Sequence, residues 1–244
     1  MSRGSGSLNR GGRPSAAAVV RRRIERGGDR FWRVRDFADL SPSAVARTLA
    51  RLAEEGLLER PRRGLYYRPR ETRFGMSIPS AAAVAAESLR VPVQPAGLTA
   101  ASVLGFTTQN PALSELATPA NNPPTAILPA KVKTRRPEAR LRLSEREGAL
   151  LELLRDRASS SDLSFDETHQ RLLSLLAKGE TFAKLARAAL HEPPRVRAML
   201  GALGQELGAD ERTLSRLRGG INPLSRYDFG RLGPLPYARE WQAQ

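Results

Sequence analysis

The stretch that decides the fold reads Ser41-Pro42-Ser43-Ala44-Val45-Ala46-Arg47-Thr48-Leu49-Ala50-Arg51-Leu52-Ala53-Glu54-Glu55-Gly56. It continues through Leu57-Leu58-Glu59-Arg60-Pro61-Arg62-Arg63-Gly64-Leu65-Tyr66-Tyr67-Arg68. Ser41 is a candidate N-cap, and Pro42 suits the first helical position because its missing N–H would have had no partner there. Val45, Leu49 and Leu52 are spaced four and three apart, which predicts a helix over residues 42–55 with one apolar stripe. Ala46 and Ala53 flank that stripe, and Gly56 closes the helix. Short strands are expected at 57–60 and 65–68 around Pro61-Arg62-Arg63-Gly64, a hairpin turn.

Upstream, Ser15 caps a helix expected over 16–25 that ends at Gly27-Gly28. Phe31-Trp32-Arg33-Val34 alternates like a short strand, and residues 35–40 suit a short helix. Helix, helix, helix, hairpin over residues 15–73 is the order of a winged helix-turn-helix. In such a domain the third helix enters the major groove of double-stranded DNA and the wing touches neighbouring phosphates. With Val45, Leu49 and Leu52 inward, the opposite face is expected to present Ser43, Ala44, Arg47, Thr48 and Arg51. Arg can read guanine with two hydrogen bonds, Ser43 and Thr48 can bond bases or phosphates, and Ala44 permits close approach. Arg60, Arg62 and Arg63 would neutralise phosphates from the wing. The bland alternative is an ordinary surface helix beside a basic hairpin.

Charge placement supports the DNA reading. The chain of 244 residues carries 40 basic and 25 acidic residues, a net +15. Only four of the basic residues are Lys, an Arg bias that base composition alone can produce. Placement is more telling. Residues 1–73 hold 18 Arg against 8 acids, and residues 74–244 hold 22 basic against 17 acidic residues. Two-thirds of the excess charge therefore sits in under a third of the chain, as expected for a polyanion-binding end. Residues 1–14, rich in Arg, Gly and Ser, read as a flexible basic arm with too little apolar surface to order itself.

Residues 74–244 are expected to form a second domain, mixed α/β to about residue 143 and helical thereafter. A helix-like run covers 99–104, and strands are expected at 126–128, 131–135 and 139–143. Leu-rich helical spacing recurs at 146–155, 166–177, 182–190, 195–207 and 211–217. The fold class is therefore α+β: an N-terminal winged helix-turn-helix, then a mixed α/β and mainly helical domain. Lys131, Lys133 and Arg135 alternate on one expected strand face. With Arg136, Arg140 and Arg142 they make a second basic patch, either a further anion-binding track or a solvated strand face.

Catalytic and metal chemistry find little footing. Cys is absent, which excludes disulfides, thiol nucleophiles and Cys-ligated zinc. His169 and His191 are the only histidines. Glu167 and His169 do not share a helix face, and His191 precedes Glu192-Pro193-Pro194 at a helix end. No Gly-rich loop carries the Lys-Ser/Thr of a phosphate-binding turn. No catalytic residue, metal site or cofactor is assigned, and the chain is expected not to be an enzyme. No apolar run approaches a membrane span and no signal peptide is evident, so a cytoplasmic protein without a membrane partner is expected.

Several segments resemble one family. Phe37-Ala38-Asp39-Leu40, Val45-Ala46-Arg47-Thr48-Leu49-Ala50-Arg51-Leu52, Gly56 and Arg63-Gly64-Leu65-Tyr66-Tyr67 resemble the winged helix of the AbiEi-type antitoxins. Pro95-Ala96-Gly97 and Ala100-Ala101-Ser102-Val103-Leu104-Gly105-Phe106-Thr107-Thr108-Gln109-Asn110-Pro111-Ala112 resemble the antitoxin-domain segment of that family. Arg195-Val196-Arg197-Ala198-Met199-Leu200-Gly201-Ala202-Leu203-Gly204 and Leu224-Ser225-Arg226-Tyr227-Asp228-Phe229-Gly230 resemble a bacterial branch of it. The resemblance runs from about residue 20 onward, while Asn110-Pro111 and Asn121-Asn122-Pro123-Pro124 depart from the family pattern. It implies the antitoxin of a bacterial toxin–antitoxin pair, repressing its own operon through promoter DNA. The C-terminal domain would neutralise a cognate nucleotidyltransferase-like toxin. The alternative is a standalone winged-helix transcription regulator with a partner- or ligand-sensing domain. No dimerisation helix is evident, so a monomer or weak dimer, cooperative on DNA, is expected.

Overall fold

A computed structural model describes residues 14–73, 75–121 and 130–244. The strand expected at 126–128 and nearly all of the basic arm lie outside the described residues. The chain is α+β and divides into two compact units, the first reaching Pro79 and the second starting at Ser80. The division falls beyond the boundary expected at residue 73, because a two-strand hairpin, Glu71–Thr72 paired with Gly75–Met76, belongs to the first unit.

The first unit opens with α1 (Ala16–Arg26), whose N-cap Ser15 accepts from the Ala18 amide at 3.2 Å. Strand β1 (Phe31–Trp32) follows, then a 3₁₀ helix (Val34–Phe37) where a short α-helix was expected. Helix α2 (Pro42–Glu54) leads into β2 (Glu59–Arg62) and β3 (Leu65–Tyr67). These strands form an antiparallel sheet in the order β1-β3-β2. Arg62 pairs with Leu65, so the turn is Arg63-Gly64, and Gly64 supplies the φ of +77° that a side chain would resist. Val20 and Ile24 of α1 pack with Val45, Leu49 and Leu52 of α2, Phe37 and the Trp32 ring. The Trp32 and Phe37 rings stack with centroids 5.5 Å apart.

The second unit begins with α3 (Ala81–Leu89), which the sequence reading did not anticipate. Strand β6 (Gln94–Pro95) pairs antiparallel with β7 (Ser114–Ala117), and β8 (Ala130–Lys133) adds in parallel to β7. In chain order, the first unit's extra hairpin supplies β4 and β5. Helix α4 (Gly97–Leu104) lies between β6 and β7 in sequence. Residues 139–143 do not form the expected strand: Glu138–Arg142 is a 3₁₀ helix. The helical remainder comprises α5 (Glu145–Arg155), α6 (Phe165–Leu176), α7 (Thr181–Ala189), α8 (Pro194–Glu206) and α9 (Glu211–Arg218). Capping boxes start two of them, Ser144 with Glu147 and Ser164 with Glu167. Leu150, Leu151, Leu153 and Leu154 are all buried, so α5 is covered around most of its circumference. The core it enters is completed by Phe106, Met199, Leu203, Phe229 and Trp241. Gly201 of α8 lets the Trp241 ring lie against the helix backbone; a methyl there would fall 2.2 Å from the ring. Among the described residues, no helix is long and apolar enough to cross a membrane.

Candidate nucleic-acid interface

The first unit sorts its arginines into those that build it and those left facing outward. Arg23 forms a two-armed ion pair with Asp39, both contacts at 2.6 Å, and Arg21 bridges Glu25 and Glu55 at 3.0 Å. The Arg23 hydrogen bonds hold the Asp39 carboxyl below the usual carboxylate range. Arg68 donates to the Ile24 carbonyl at 2.6 Å and to that of Glu25, neutralising the C-terminal end of α1. Arg30 lies over the Trp32 ring at 3.7 Å.

Arg47 does none of this. It stands exposed on α2 and makes no hydrogen bond or ion pair with any described residue. The buried positions Val45, Leu49 and Leu52 fix the inward face of α2, and Ser43, Arg47 and Arg51 occupy the outward one. Arg51 is exposed but partly engaged, 3.5 Å from Glu55, a carboxylate it shares with Arg21. Ala44 is half-buried.

Thr48 corrects the sequence reading. It was expected on the outward face, yet only 6% of it is exposed, and its hydroxyl donates to the Ala44 carbonyl at 2.8 Å. On the helical wheel it sits next to Leu52 at the edge of the stripe, and burying its methyl while returning the hydroxyl to the preceding turn satisfies both ends of the side chain. In the hairpin, Arg60 and Arg63 are exposed, Arg62 is half-buried, and none is hydrogen-bonded to a described residue. Arg60 rests over the Tyr66 ring at 5.7 Å.

The second basic patch does not survive as a patch. Lys133 pairs with Glu115 at 3.1 Å. Arg136 grips Glu152 through two contacts, at 2.6 and 3.1 Å. Arg140 is almost wholly buried, donating to Glu152 and, at 2.5 Å, to Glu192. Arg155 reaches the other Glu192 oxygen at 2.6 Å. Only Lys131, Arg135 and Arg142 of the six remain exposed. The sequence reading missed this cluster because the carboxylates that claim Arg136 and Arg140 come from α5 and from the segment before α8. Of the histidines, His169 is buried, stacks on Phe165 and lies 2.7 Å from Glu206; His191 is exposed. No group of three or more His, Asp or Glu residues suited to a metal is found among the described residues.

Residues 22–119 match a family described as being of unknown function, DUF6088. That segment spans most of the first unit and the start of the second. No curated protein matches the chain. The crystal structure of the RV2827C protein from Mycobacterium tuberculosis is similar at a TM-score of 0.52, covering 93% of this chain and 90% of that one. Identity is 17%, so the likeness is one of fold.

Proposed function

We propose that the first unit is a winged helix-turn-helix that binds double-stranded promoter DNA, and that the chain is a cytoplasmic antitoxin repressing its own operon. The observation that carries the DNA reading is Arg47, exposed and without a partner among the described residues, on a helix whose one other arginine, Arg51, is paired with Glu55. It is followed in the chain by Arg60, Arg62 and Arg63 on a tight hairpin. Helix α2 would enter the major groove with Ser43, Arg47 and Arg51 toward the bases, and the hairpin would meet phosphates. The chain order α1, β1, 3₁₀ helix, α2, β2, β3 and the three-stranded sheet agree with that domain type.

The antitoxin reading rests on the resemblance of the segments at 95–112, 195–204 and 224–230 to the AbiEi type. On it, the second unit neutralises a nucleotidyltransferase-like toxin encoded beside this gene. Fluorescence anisotropy against the gene's own upstream sequence and a shuffled duplex tests the first half. Equal affinity for the two removes the repressor reading. Deleting this gene with and without its neighbour tests the second half: toxicity should appear only when the neighbour remains. Free deletion in both backgrounds leaves a standalone regulator.

A further inference from the structure

The second unit carries a groove of about 660 Å³ between the 3₁₀ helix Glu138–Arg142 and helix α7, within the size range of small-ligand and side-chain pockets. Ala139, Leu141, Leu143 and Ala188 give it an apolar floor, and Leu141 is left 44% exposed. Its rim is cationic. Arg142 stands on one wall, Lys184 and Arg187 on the other, with His191 just beyond the end of α7 and Glu138 the one lining carboxylate.

These cations are not equivalent. Lys184 is 3.2 Å from Glu147, whose carboxylate is fixed by the Ser144 amide at 2.7 Å. Burial pushes Glu147 up, and the Ser144 bonds and Lys184 outweigh it, so the carboxyl sits below its usual range and the pair is charged. Arg142 and Arg187, by contrast, are exposed and make no hydrogen bond or ion pair with any described residue. Each wall thus carries one uncommitted guanidinium group beside an apolar floor. The 3₁₀ wall is itself anchored from below, because Arg140 in its middle is clamped by the buried Glu152 and Glu192. That anchoring fixes this wall of the groove before anything binds to it.

We propose that this groove docks an acidic amphipathic segment of a partner protein. Carboxylates of the segment pair with Arg142 and Arg187, and its apolar side chains cover Leu141 and its neighbours. A planar Arg fork suits carboxylates. A nucleic acid is the poorer fit. No Phe, Tyr or Trp lines the groove to stack a base, and a phosphate backbone has nothing to cover an exposed leucine. The choice of a protein occupant deepens the reading of the second unit as the one that engages a partner, and it is independent of DNA binding by the first.

The test uses the full chain and three labelled probes: an acidic helical peptide of about four turns with a leucine stripe, the same peptide with Lys for each Glu, and a random duplex of similar charge. The acidic peptide should bind, weaken as salt rises, and lose about tenfold or more in affinity with R142E/R187E. Leu141→Asp should weaken it as well, R142Q/R187Q should give an intermediate loss, and Arg212→Glu on α9 should leave it unchanged. Thermal melts confirm that each variant is folded. Equal binding of the two peptides, or binding of neither, overturns the proposal. So does a result in which R142E/R187E lowers duplex affinity and leaves the peptide untouched. Promoter binding by Arg47→Ala reports on the other unit, so failure there leaves the peptide result standing.

Discussion

Arg140 donates from Nε to Glu192 at 2.5 Å while its Nη1 reaches Glu152, and all three side chains are at most 2% exposed. Arg136 and Arg155 close the cluster from its rim. Two buried carboxylates therefore hold three guanidinium groups, tying the 3₁₀ helix and α5 to the segment that enters α8.

A pair this dry contributes modestly as a whole but is costly to break on one side, because the survivor is left charged without water. Arg140→Met should destabilise the second unit by about 3–5 kcal/mol, and Glu192→Gln by somewhat less because it keeps a hydrogen-bond acceptor. Urea midpoints at constant m-value measure both. A loss under about 1 kcal/mol for Arg140→Met would mean the cluster is hydrated.

The same cluster sets an acid limit. Burial pushes the Glu152 carboxyl up, but hydrogen bonds and charge from Arg136 and Arg140 more than reverse that, leaving it below its ordinary value. A depressed carboxyl adds stability that is complete above the unfolded value of about 4.3 and is lost as pH falls through the folded one. Urea midpoints taken from about pH 7 down to about pH 3 should fall below about pH 4, and Glu152→Gln should flatten that fall. An equally steep fall in the variant would assign the acid limit to other carboxylates.

Helices α5 to α9 were legible because their leucines recur at helical spacing. The helix α3 was not, since Ala81-Ala82-Ala83-Val84-Ala85-Ala86 has no apolar stripe against a polar one for periodicity to find. Residues 139–143 misled for the opposite reason. Ala139-Arg140-Leu141-Arg142-Leu143 alternates as a strand would, yet Arg140 turns inward because Glu152 and Glu192, 12 and 52 residues away, receive it. Nothing local in the sequence announces those partners. In α2 the apolar stripe was read correctly and its width was underestimated. Thr48 lies on the edge of the stripe, and a hydroxyl that can bond its own helix is compatible with burial.

That detail separates two substitutions in the candidate interface. Arg47→Ala should weaken binding to the specific duplex by about 1–3 kcal/mol with little effect on stability. Thr48→Val should leave affinity nearly unchanged, because its hydroxyl is occupied by Ala44 and turned away from solvent. Arg62→Ala and Arg63→Ala should lower affinity for specific and random duplexes alike and reduce the salt dependence by about one phosphate each. Anisotropy at several salt concentrations measures all four variants. A large specific loss with Thr48→Val would place a different face of α2 in the groove.

At Gly201 even one methyl group should be felt. Gly201→Ala drives a carbon against the Trp241 ring, so either the ring or α8 must move, at a cost of about 1–3 kcal/mol. Trp241→Ala leaves a cavity instead, costing about 3–5 kcal/mol, and also removes the indole N–H that donates to Gln205 at 2.8 Å, leaving Gln205 its bonds to Arg218 and Glu240. If ring and methyl belong to one contact, Gly201→Ala should cost much less when Trp241 is already Ala, a coupling that a double-mutant cycle in urea reads directly.

Trp241 also orders events during synthesis. Helix α8 leaves the ribosome well before the tryptophan that covers it, so the surface around Gly201 waits uncovered, and the second unit cannot close its core until that ring arrives. The first unit has every member of its core within the first 79 residues and needs nothing made later. A nascent chain therefore carries a finished N-terminal unit beside an unfinished helical one, and chaperones or proteases that act on exposed apolar surface meet the second unit first.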